Sequence, residues 1–127
     1  MTVNILLGCG RDKMNDFNEG ELSIQFDGQT IAWFGKSIFP DPSKNIDPYF
    51  DRIIPQMNKQ GVVIRFDQIK FLCSATLHSI IKLIKKLNSA GYKITMVYNK
   101  DEEWQRVTFK AFHALSRVLE NFTIITE

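Results

Sequence analysis

The ten residues from Phe71 to Ile80 read FLCSATLHSI. Two hydroxyls, Ser74 and Thr76, and one thiol, Cys73, stand there between an apolar run and the start of a helical pattern. Such groups have three chemistries open to them. A serine at a helix N-cap accepts from a free first-turn amide and contributes ~1 kcal/mol. A cysteine near a helix N-terminus gains thiolate character; with no base beside it, Cys73 reads as a small apolar residue. A hydroxyl beyond a parallel strand is exposed at the carboxyl edge of its sheet, where α/β folds place function. A phosphate there meets free N–H groups and the helix dipole, so it adds charge without melting the helix. Ser74 is therefore the candidate modification residue, and Cys73, Ser74, Ala75 and Thr76 form a candidate partner-binding turn.

Other chemistry finds little support. His78 and His113 fall on different predicted helices, with no spacing to each other or to the cysteines that would hold a metal. The chain has no glycine-rich phosphate loop, nucleophile elbow or carboxylate pair at a recognisable spacing. The sequence reads as a binding module rather than an enzyme, with no cofactor.

The elements that would position the turn follow from periodicity. Residues 8–20 are polar and read as a loop. Leu22, Ile24 and Phe26 alternate as a half-buried strand does, Asp27-Gly28 signals a tight turn, and the chain returns from Thr30 to Phe34. A proline-rich loop leads to a helix start at Asp47-Pro48, with Asp47 as the N-cap. Phe50, Ile53, Ile54 and Met57 give that helix its stripe, and Pro55 ends it near Ile54. Val62-Val63-Ile64 suits a strand buried on both faces. Leu77, Ile80, Ile81, Ile84 and Leu87 then recur at helical spacing up to Ser89-Ala90-Gly91. YKITMVY is a further strand, residues from 99 to 121 a second long helix, and FTIIT a last strand. On that helix Val107, Ala111, Ala114, Leu115 and Val118 form the expected core stripe, with Trp104 at its margin. Phe109, Phe112 and Leu119 widen the apolar arc, which makes Phe109 and Phe112 candidate partner-binding residues.

The expected fold is an α/β sandwich: a mixed, mostly parallel sheet with an N-terminal hairpin, covered by helices. It forms one domain over residues 1–127, with a short strand and loop in 1–20, the hairpin in 21–35 and a β-α-β-α-β core in 61–127. At 127 residues, with 44% hydrophobic and 24% charged residues, the chain has the balance of a soluble globular protein. A net charge of +2 is too small to make nucleic acid or an anionic membrane the main partner. Two cysteines, Cys9 and Cys73, give no disulfide framework, so a reducing cytoplasm is expected. Leu6-Leu7-Gly8-Cys9 has the look of a lipoprotein cleavage box but lacks the basic segment before it. No apolar run approaches the ~18 residues of a membrane span.

From residue 61 onward the sequence resembles a STAS domain, the fold of bacterial anti-sigma-factor antagonists. GVVIRFDQIKFLCSATLHSIIKLIKKLNSAGYKITMV is similar to that family's strand, its F-x-D-S-[SAT]-G-L turn, its amphipathic helix and its small-residue helix end. DEEWQRVTFKAFHALSRVLENFTI is similar to the family's last helix and strand, and GKSIFPDPSKNIDPYFDRI resembles the related SiaC-type regulatory phosphoproteins. The resemblance implies a module whose serine is phosphorylated by an ATP-dependent serine kinase, often the anti-sigma factor itself, and released by a phosphatase. It places the acceptor at Ser74, with Thr76 as second choice. Cys73 stands where the family has Asp, and Thr76 where it has Gly. The alternative implied by the same resemblance is an unphosphorylated STAS subunit of a larger assembly, such as a lipid-transport complex, or a small-ligand binder.

Overall fold

The structure is a computed structural model that describes residues 15–127. Cys9 and the Leu6–Cys9 run lie outside the described residues. Within the stretch expected to be loop, Phe17–Glu19 forms a short strand, β1, paired antiparallel to β2, Leu22–Phe26. β2 pairs antiparallel with β3, Thr30–Ser37. The hairpin between them turns at Gly28, whose φ of 97° suits only glycine. Asp27 does not sit at the centre of this turn: its carboxylate accepts from the Gln29 and Thr30 amides and closes the turn from outside.

The first helix, α1, spans Ile46–Ile53 and begins one residue earlier than Asp47. Asn45 rather than Asp47 is its N-cap, the Asn45 side-chain oxygen accepting from the Ile46 amide at 2.8 Å. The helix ends at Ile53 and a single 3₁₀ turn, Ile54–Gln56, carries Pro55, as a ring without an N–H requires. Then come β4, Val62–Arg65; β5, Ile69–Leu72; α2, Ser74–Ser89; β6, Ile94–Tyr98; α3, Glu103–Thr108; α4, Lys110–Ser116; and β7, Phe122–Thr126.

Strand order is β1-β2-β3-β4-β6-β7, with β5 also pairing β3. β3, β4, β6 and β7 run parallel, so the molecule is an α/β sandwich on a mixed, mostly parallel sheet, with the expected hairpin at its start. The run expected as one strand after residue 61 is two. β4 lies along the first half of β3 and β5 along its second half, separated by the turn at Phe66 to Gln68.

Register explains which face is covered. Ile24 faces Trp33, Ile31 faces Ile64, Ile64 faces Met96 and Met96 faces Ile124, so one parity of every strand builds one surface. All the buried hydrophobic residues of the helices join that surface in a single core. The opposite parity, including Ala32, Val63 and Thr95, is half-buried, so β4 is not covered on both faces as its β-branched run suggested. Val97 on that open face is nonetheless buried. Arg65, its register neighbour on β4, makes ion pairs with Asp67 at 3.2 Å and with Glu127 just beyond β7 at 2.7 Å.

The last helix departs most from expectation. It is broken at Phe109 into α3 and α4, and its buried side is shifted around the axis. Gln105, Phe109 and Phe112 are buried, whereas Val107 and Val118, expected in the core, are 60% and 75% exposed. Phe109 meets Phe66 at 5.4 Å, Tyr98 at 5.1 Å and Phe112 at 5.2 Å between ring centroids, all edge to face. Gln105 is tolerated inside because its amide is spent: the oxygen accepts from the Asn99 amide and the nitrogen donates to the Ile69 carbonyl.

Candidate functional site

The turn from β5 into α2 lies at the carboxyl ends of the parallel strands. Its backbone is fixed from β3, because the Cys73 amide donates to the Ser37 carbonyl at 3.0 Å. Cys73, not Ser74, occupies the N-cap position of α2, with extended backbone, and no side chain caps the helix. The capping role expected for Ser74 is therefore not the one it has. Ser74 is the first helical residue and it is exposed; Ala75 is half-buried. A sixteen-residue helix thus starts with an exposed hydroxyl at the positive end of its dipole.

Thr76 is in a different environment. It is fully buried, and its hydroxyl is 2.6 Å from that of Ser37, which is also fully buried. The Cys73 sulfur lies 3.3 Å from the same Thr76 oxygen and donates to the Phe39 carbonyl at 3.5 Å. Cys73, itself half-buried, is therefore joined with Thr76 and Ser37 in one hydrogen-bonded network whose Ser37–Thr76 part is buried. That network ties β3, the loop after it and α2 together. Sequence reading missed Ser37 because it stands in an irregular run before the prolines and meets its partner across 39 positions.

Phe109 and Phe112, offered by sequence as partner-binding residues, are 0% and 1% exposed. They belong to the core, because two aromatic rings bury far more apolar area than the valines and alanines on the opposite side of the same helix. The exposed apolar groups near the turn are others. Ile38, just past β3, is 54% exposed, and Phe71, on β5, is 45% exposed. Phe71 owes this to an irregular register: Gly35 faces Ile69 but Lys36 faces Phe71, so Lys70 is an extra residue and both Lys70 and Phe71 are exposed. Gly35 permits the irregularity with a φ of 85°, and a Cβ there would fall 2.0 Å from the Glu21 carbonyl oxygen. Asp67-Gln68 marks the turn that separates β4 from β5, not this shift of register.

Charge around the turn is uneven. Asp41, on the loop after β3, is held below the usual carboxylate range chiefly by the Ser43 hydroxyl; desolvation opposes this, and the Ser43 amide and Lys44 add smaller contributions in the same direction as the hydroxyl. Lys82 and Lys86 on α2 pair with Asp47 and Asp51 of α1 across a groove of about 250 Å³. A wider crevice of about 530 Å³ opens where β5 parts from β6, lined by Asp67, Lys70, Asn99, Glu102 and Trp104 among others. No group of three or more His, Cys, Asp or Glu residues among the described residues is arranged to hold a metal ion. No helix among them is long and apolar enough to cross a membrane.

Comparison with protein-family models, with curated proteins and with solved structures gave no match.

Proposed function

We infer that this protein is a regulatory, protein-binding module of the STAS kind, controlled by reversible phosphorylation of Ser74. The observation that carries the reading is the contrast at the turn: Ser74 exposed at the first position of α2, Thr76 buried two residues on. A kinase can reach the first hydroxyl without disturbing the fold. A phosphate on it meets free first-turn amides and the positive helix end, so the domain stays folded and only its surface changes. The change is about two negative charges on an otherwise neutral turn. A partner that docks on the neutral turn is expelled by repulsion and by the cost of desolvating the phosphate. The kinase is a serine kinase of the anti-sigma-factor kind, a phosphatase restores the docking form, and the module works in the cytoplasm of a bacterium. The exposed Ile38 and Phe71 beside the turn support a protein surface rather than a small ligand as what docks there.

The direct test is peptide mapping by mass spectrometry of the chain purified from its native cells with phosphatases blocked. Phosphate on Ser74, and none on Thr76, is the expected result. Phosphate confined to another residue, or absent across growth conditions, would sink the reading.

A further inference from the structure

We propose that the rim formed by Lys36, Ile38, Lys70 and Phe71 docks an acidic segment of the partner protein that carries an apolar anchor; this rests on the Ser74 reading and gives its partner a chemistry. Lys36 and Phe71 are register neighbours on β3 and β5, and the irregularity at Gly35 leaves Lys70 exposed next to Phe71. Ile38 follows Ser37, whose carbonyl holds the Cys73 amide, so it borders the same turn. Two large apolar groups and two lysines are thus exposed on the ends of β3 and β5 that lead to the Ser74 turn. Among the described residues, Lys36 and Lys70 make no ion pair, as is also true of Lys59, Lys85, Lys93, Lys100 and Lys110; what sets Lys36 and Lys70 apart is their place beside Phe71. Their ammonium groups are available to carboxylates from outside.

The rim also explains why phosphorylation at Ser74 would act on binding. A phosphate there competes for the lysines and repels the incoming carboxylates, two effects of the same sign. The apolar pair supplies the short-range part of the contact, and the lysines supply partner choice and encounter rate.

The test uses the full chain as bait for a phage-displayed library of random short peptides. The best binder is then synthesised with a fluorescent label and titrated by anisotropy against wild type, Lys36→Ala/Lys70→Ala, Phe71→Ser and Ser74→Asp. The proposal expects net-acidic peptides with at least one large apolar residue. Their affinity should drop about tenfold or more in the double lysine variant and weaken steadily with added salt. Enrichment of basic or purely apolar peptides, no enrichment at all, or unchanged affinity in the double lysine variant would overturn it. All four replaced residues are exposed, and unchanged thermal melting shows that each variant is folded. Ser74→Asp separates the two ideas. Acidic peptides that need the lysines but ignore Ser74→Asp would leave the rim standing and remove the switch. Non-acidic peptides lost on Ser74→Asp would do the reverse.

Discussion

Thr76→Asp should destabilise the fold by at least about 3 kcal/mol, while Ser74→Asp, two residues away, leaves it within about 0.5 kcal/mol of wild type. The Thr76 side chain has no solvent contact and shares a hydrogen bond with Ser37, itself buried. A carboxylate there has no cation to pair with and must either stay charged in an apolar site or take up a proton. Its folded-state pKa is raised, so the loss is full above that pKa and shrinks as pH falls towards the unfolded carboxylate value. Thermal melts at neutral and mildly acidic pH check both parts. The expected drop is roughly 10 °C or more at neutral pH, smaller in acid. At Ser74 the same substitution puts a negative charge in an exposed first turn, where the dipole favours it. Equal melting temperatures for the two variants would mean that the burial assigned to Thr76 is wrong.

The second large effect is expected at Phe109. Its ring is fully buried and touches the rings of Phe66, Tyr98 and Phe112 edge to face. Phe109→Ala removes that contact and leaves a cavity under the α3–α4 junction, at about 3–5 kcal/mol. Val118→Ser, on the exposed side, should cost no more than about 0.5 kcal/mol. Denaturant midpoints at unchanged slope separate the two. The opposite ranking would restore Val118 to the core and return Phe109 to the surface.

These two sites show where the sequence was legible. The hairpin, α1, α2 and the parallel crossovers were readable because one periodicity dominates each of them. In the last helix two apolar series interleave: Phe109 and Phe112 on one side, Val107, Ala111, Ala114 and Val118 on the other. A single helical wheel accommodates both. The larger aromatic area decides for the first, and Gln105 concealed the answer by placing a polar residue at a core position. That position becomes acceptable only when Asn99, six residues before it, and Ile69, thirty-six residues before it, satisfy its amide. The turn at 73–76 was located correctly at the carboxyl edge, but the division of labour within it was not visible. Whether Ser74 or Cys73 takes the cap position depends on where β5 releases the chain, and that is set by the Cys73 amide bond to Ser37. Likewise Lys70 and Phe71 are exposed only because the β3–β5 register shifts at Gly35, a tertiary event with no local sequence period.

Ser74 is proposed to switch the binding of a protein partner without altering the fold. The measurement that tests it most directly is capture from native cell lysate on immobilised wild type, Ser74→Ala and Ser74→Asp, with the retained proteins quantified by mass spectrometry. The expected result is a partner held by wild type and by Ser74→Ala and lost from Ser74→Asp, while all three baits melt alike. A partner held equally by all three, or none held by any, would contradict it.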